Sequence, residues 1–291
     1  MPATGPAVRR SSGFLPVLLL VVLFLVAVTV YAVSALREPG REAAAPPSCT
    51  ATADGAEYHL TPARAETAAL IAGISVRRGM PARAASIAVA TAIQESGLRN
   101  LDYGDDAGPD SRGLFQQRPS QGWGSEEQVM DRVYAANAFY DALEKVPNYA
   151  DLPLTVAAQT VQRSAFPEAY ADHEDEAKAF ASALTGHSPA AMTCTLDPPS
   201  ASGSPEAVLA ALTAVYGPVE ATVEGSRITV AGTGSYGWSV AEWAVASADA
   251  LSLDSVAFDE RRWTRATGTW DPAPAADGAV VLTVFRAAEQ S

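Results

Sequence analysis

From Ala82 to Ser96 the chain carries Ala, Ser, Ile, Val and Thr at nearly every position, broken only by Arg83 near the start and Gln94-Glu95 near the end. Small apolar residues on all sides imply a helix buried on most of its faces, with neighbours packed close. Pro81 opens it and Gly97 follows its last turn, the expected order of boundary residues. Glu95 therefore sits at the end of a buried helix. Burial disfavours a charged carboxylate and raises its pKa. The negative end of the helix dipole pushes the same way. A carboxylic acid held neutral near neutrality is what a general acid requires.

The next stretch, Ser111 to Gly124, holds Gly113, Pro119, Gly122 and Gly124, with Gln116, Gln117, Phe115 and Trp123 between them. Its composition favours turning over a long element. Aromatic rings beside amides suit a sugar groove, because a ring covers the apolar face of a sugar while amides take its hydroxyls; a packed structural turn is the plainer alternative. The connection Leu98 to Asp110 carries Asp102, Asp105, Asp106 and Asp110 but lacks the spacing of a calcium loop.

Helices are expected around this pair. One runs from Thr61-Pro62 to Arg78. Another begins at the capping box Ser125/Gln128 and buries Val129, Val133, Ala136, Tyr140 and Leu143. Two more cover about 155–164, broken by Phe166-Pro167, and about 168–185.

Phe14 to Leu36 is a nearly continuous apolar run. At roughly 1.5 Å per residue its ~23 residues reach about 34 Å, enough for a bilayer core of about 30 Å. Arg9 and Arg10 precede it, so the expectation is a single-pass cell-membrane anchor with the N-terminus cytoplasmic and the rest outside; a cleaved signal peptide is the alternative. Cys49 and Cys194 are the only cysteines. In an exported chain an even pair reads as a disulfide, here tying the start of a central domain to its end. The net charge of −13 argues against nucleic acid as a partner.

The segment Asp197 to Ser204 reads as a linker. Beyond it the pattern becomes a small α+β module. A helix is expected from Ser204-Pro205 to Tyr216, strands at Arg227–Ala231, Val256–Phe258 and Val280–Phe285, and a second helix capped by Ser239/Glu242 and running to about Leu251. The tryptophans there, Trp238, Trp243, Trp263 and Trp270, fill a core or bind glycan.

Glu95-Ser96-Gly97 followed by Gly113-Leu114-Phe115-Gln116 resembles the lysozyme-like superfamily, in particular soluble lytic transglycosylase domains. The run Ser111 to Gly124, with Val161, Gln162, Ser164, Pro167 and Tyr170 further on, is more similar still to lysozyme-like domains of actinobacterial membrane proteins and phage tail hydrolases. The resemblance covers about residues 58–186. It implies Glu95 as catalytic acid/base, with Ser96, Gln116, Gln117, Gln162 and Tyr170 binding substrate, and peptidoglycan glycan strands as the partner. His59, His173 and His187 are scattered, so no metal is expected, and no cofactor. Lytic transglycosylases usually carry Tyr-Asn where this chain has Val161-Gln162.

The expected fold is therefore mainly α. A cytoplasmic N-terminus (1–13), a transmembrane helix (14–36) and a stalk (37–48) precede a lysozyme-like domain (49–194). A linker (195–204) and a small α+β module (205–291) follow. The expected activity is cleavage of the β-1,4 bond between N-acetylmuramic acid and N-acetylglucosamine by a single Glu, as in a lytic transglycosylase. A muramidase would instead need a second carboxylate, for which Asp102, Asp105, Asp106 and Asp110 compete. A non-catalytic wall-binding or envelope scaffold protein, pairing with envelope partners through the C-terminal module, is the alternative.

Overall fold

The computed structural model describes residues 14–36, 45–106, 108–164, 168–275 and 278–287. The sequence signals at Phe166-Pro167, and most of the expected stalk, lie outside these residues. The chain divides into two units, Met1–Pro46 and Pro47–Ser291.

The first unit holds helix α1, Phe14–Leu36. Its described side chains run from Leu20 to Tyr31 and are exposed. Among the described residues no helix is long and apolar enough to cross a membrane. The expected anchor over 14–36 and the single-pass membrane location built on it are corrected accordingly.

The second unit overturns the expectation of a mainly α fold, because two antiparallel sheets accompany its helices. It opens with β1, Ser48–Ala53, and β2, Ala56–Leu60. These form a hairpin closed by Asp54-Gly55, both at positive φ. Two left-handed residues match the right-handed twist of the flanking strands, and Asp-Gly is well suited to that turn. Helix α2 is Pro62–Arg77 and α3 is Ala82–Ser96. The helix expected from Ser125 is two helices, α4 Glu126–Met130 and α5 Arg132–Leu143. The Ser125/Gln128 capping box forms, but Asp131 is extended and its Oδ1 accepts from the Tyr134 amide at 2.8 Å, starting a second helix. Helices α6, Leu154–Gln162, and α7, Glu174–Leu184, follow. Strand β3, Met192–Thr195, then returns to pair with β1, giving the order β2-β1-β3. Cys49 and Cys194 face each other in that pairing and form a disulfide.

Helix α8 is Pro205–Tyr216. Strands β4, Ala221–Glu224, and β5, Arg227–Ala231, precede α9, Gly234–Ala246. Strands β6 to β9 are Leu253–Phe258, Arg261–Thr264, Trp270–Pro272 and Ala279–Val284. They complete a sheet of order β4-β5-β9-β6-β7-β8.

One continuous hydrophobic core runs through residues 47–291. Helix α3 packs against α2, α6 and α7, while α2 also meets α8 and α9. Gly73 makes the α2–α8 approach possible, because a Cβ there would lie 2.3 Å from Val215 Cγ1. The 195–204 segment is tied down at both ends: Arg265 Nη1 donates to Asp197 O at 2.7 Å, and the Gly203 amide to Phe285 O at 2.9 Å. Trp238, Trp243 and Trp263 are buried in the core. The Trp270 indole donates to Met192 O at 2.8 Å.

Helix α9 begins five residues before the expected cap, so Ser239 and Glu242 lie inside it. Ser239 Oγ donates to Leu184 O at 2.7 Å, and Glu242, 0 % exposed, accepts from the Ala191 amide at 3.0 Å. Burial raises the Glu242 pKa well above its ordinary value, against the amides of residues 190–192, which favour the charge. The folded protein thus keeps a proton that the unfolded chain releases once pH passes about 4.5. Stability should be fullest below that pH and should fall as pH rises toward the folded-state pKa. Urea midpoints from acidic to neutral pH should show this decline, and Glu242→Gln should flatten it; an unchanged slope in the variant would remove Glu242 as its source.

Candidate active site

Two local devices fix the site. Gly97 ends α3 in the left-handed conformation (φ 60°). The Leu98 amide then reaches back to Ala92 O at 3.0 Å, closing the helix one residue beyond Ser96. The turn at 111–117 is the second. Arg112 and Gln117 exchange backbone hydrogen bonds of 3.0 and 2.9 Å, and the Gly113 amide donates to Leu101 O at 2.7 Å. Gly113 has φ 77°, and a Cβ there would lie 2.2 Å from Val129 O, so glycine is required on both counts.

Ser96 joins the two. Its buried hydroxyl lies 3.0 Å from Ala92 O and 2.7 Å from Leu114 O, and accepts from the Arg99 amide at 3.2 Å. It holds the acid-bearing helix end against the Gly-Leu-Phe-Gln turn and does not line the groove. Phe115 is likewise structural, stacked on Phe139 with ring centroids 4.6 Å apart.

Glu95 is half-buried, and that burial raises its pKa. Hydrogen bonds from Tyr170 and Gln162 pull the other way, and the nearby Asp105 charge adds to the upward push. Tyr170 is fully buried, and its phenol donates to Glu95 Oε1 at 2.6 Å. Burial and the Glu95 charge push the Tyr170 pKa upward, so the phenol stays a donor. It positions the acid instead of lining the groove. Gln162, at the end of α6, also donates to Phe115 O at 2.8 Å, so one amide links Glu95 to the turn.

A cavity of about 590 Å³ opens over Glu95. Gln116, Gln117 and Gln162, all expected from the sequence, line it with Tyr103, Asp105, Arg118, Trp123 and Arg163. Gln117 Nε2 donates to Ala135 O at 3.1 Å, while its buried Oε1 has no partner among the described residues. Arg118 belongs to the Ser111–Gly124 run; Tyr103 and Arg163 carried no sequence signal, since each reaches the site through loop or cap geometry.

Of the four aspartates, the structure brings Asp105 into the cavity; its Oδ1 accepts from the Gly108 amide at 2.8 Å. Asp110 is engaged elsewhere, accepting from Arg118 Nε at 2.8 Å and from the Ser120 amide at 3.0 Å. Its bonds to Ser120 and Arg118 hold it well below the usual carboxylate range. Asp102 and Asp106 are exposed and not in the cavity wall.

No protein-family model matches the chain, and no curated protein matches it.

Removing the Tyr170 hydroxyl removes a bond that favours the Glu95 carboxylate, so its pKa should rise further. Hydrogen bonds to charged groups contribute about 1.5–3 kcal/mol. In Tyr170→Phe the alkaline limb of any Glu95-dependent activity should therefore move up by about one pH unit or more. An unmoved limb would separate Tyr170 from the acid.

Proposed function

We propose that the chain cleaves peptidoglycan glycan strands, with Glu95 as a single general acid and base. The observation that carries this reading is a half-buried carboxyl of raised pKa, held by Tyr170 and Gln162, in the wall of an open amide-lined cleft. Protonated Glu95 gives its proton to the glycosidic oxygen as the bond between N-acetylmuramic acid and N-acetylglucosamine breaks. The resulting carboxylate then takes the proton of the muramic 6-hydroxyl, which closes on the anomeric carbon to give a 1,6-anhydro end. Gln116 and Gln162 supply hydrogen bonds for sugar hydroxyls and N-acetyl groups, and Trp123 an aromatic surface. The resemblance of Glu95-Ser96 and Gly113-Leu114-Phe115-Gln116 to lytic transglycosylase motifs supports the same assignment. So does the Cys49–Cys194 disulfide, a bond typical of oxidising compartments.

Asp105 favours a second reading. It shares the cavity with Glu95, and a hydrolase needs a second carboxylate to activate water. Release of soluble fragments from insoluble cell-wall sacculi tests both: Asp105→Asn should leave release largely intact if Glu95 works alone, and should abolish it if Asp105 activates water. Wall binding without release from the unmodified chain would rule out both and leave a non-catalytic binder.

A further inference from the structure

Resting on that reading of the cleft, we propose that an adjoining cavity seats the anionic peptide stem carried by the glycan strand. This second cavity, about 690 Å³, shares Gln121, Trp123, Gln162 and Arg163 with the Glu95 cleft. The two cavities therefore adjoin, with Trp123 and Gln162 common to both walls. The wall of this second space holds Lys145 and Arg163 as its charged residues, and no carboxylate. Both cations are exposed, and among the described residues neither makes an ion pair. Glu144, the carboxylate next to Lys145 in sequence, is instead held by Arg78 at 2.7 Å.

On a chain of net charge −13, two unpaired cations in one cavity wall select for anions. A strand stripped of its stems keeps one lactyl carboxylate beside each muramic ring, over the cleft itself. A stem peptide carries its further carboxylates out from the ring, to where the adjoining cavity holds Lys145 and Arg163. The stem site thus makes Lys145 and Arg163 specificity-determining residues that favour peptide-bearing strands over stripped ones.

The test is binding of fluorescently labelled glycan fragments, peptide-bearing or amidase-stripped, to the full chain carrying Glu95→Gln to prevent turnover. Peptide-bearing fragments should bind about fivefold tighter at low ionic strength, and salt should reduce the preference. Adding Lys145→Gln and Arg163→Gln should bring the ratio to about one, and Lys145→Glu should lower the ratio further than Lys145→Gln. Equal binding of both fragments by the chain with intact cations, or a preference that survives both substitutions, would overturn the stem site. Cleavage of peptide-bearing strands by the unmodified chain is measured beside it. Its absence would count against the catalytic reading while the binding ratio still reports on the stem site, and binding of neither fragment would overturn both.

Discussion

Glu95→Gln should reduce peptidoglycan cleavage by about a thousandfold, within the 10²–10⁴ that a positioned general acid contributes. The substitution keeps the shape of the side chain, and its carbonyl still accepts from Tyr170, whose phenol lies 2.6 Å from the native carboxyl oxygen. It removes the proton that the leaving oxygen needs and the carboxylate that the next step needs. Burial is the main reason the Glu95 pKa stands high, so replacing the acid with a neutral amide removes a desolvation cost. The thermal midpoint should stay level or rise slightly. Activity within about tenfold of the unmodified chain would place the acid elsewhere, because a supporting polar contact at the groove would not carry a loss of the size expected of a general acid.

Loss of the Cys49–Cys194 disulfide should produce the largest stability change. The bond closes a loop of 145 residues, and both cysteines are fully buried. Removing a native disulfide typically costs about 2–5 kcal/mol, chiefly by freeing the unfolded chain. For a unit of this size that corresponds to a fall in Tm of roughly 10 °C. The folded contacts should survive, since β1 and β3 still pair through Ser48/Thr195 to Ala51/Met192 and residues 47–291 share one core. Calorimetry of Cys49→Ser/Cys194→Ser against the unmodified chain reads the difference. A Tm within about 2 °C of the parent would contradict the bond's role, and labelling of free thiols in the native chain would contradict the bond itself.

The acid-bearing helix was legible because its signals are local. Ala-rich composition, Pro81 and Gly97 bound α3 at the residues observed, and Gly113 marks a turn that only glycine can make. Gln116, Gln117 and Gln162 reach the same cavity as Glu95. The roles of Ser96 and Tyr170 were not legible, because each depends on a partner distant in sequence: Leu114 O for Ser96 and Glu95 for Tyr170. Both turn inward and hold the acid instead of touching the groove.

The strands had signals of uneven strength. Asp54-Gly55 is a hairpin dipeptide lying between short Ala- and Thr-bearing runs, and it marks β1 and β2. By contrast, the β6–β7 turn uses Asp259-Glu260, both at positive φ without glycine, which the sequence does not advertise. The Ser239/Glu242 spacing matched a capping box, yet the same residues lie within α9 because tertiary partners at Leu184 and Ala191 take their side chains. The Phe14–Leu36 run shows the limit of a length argument: apolar content suggested a membrane span, whereas no helix among the described residues is long and apolar enough for one.

In the proposed reaction Glu95 alone drives bond breaking and ring closure. Mass spectrometry of the products from purified peptidoglycan distinguishes this from hydrolysis, with the unmodified chain beside Glu95→Gln. The expected products are 1,6-anhydromuropeptides from the unmodified chain and none from the variant. Reducing-end muropeptides in their place, or anhydro products from both proteins, would contradict it.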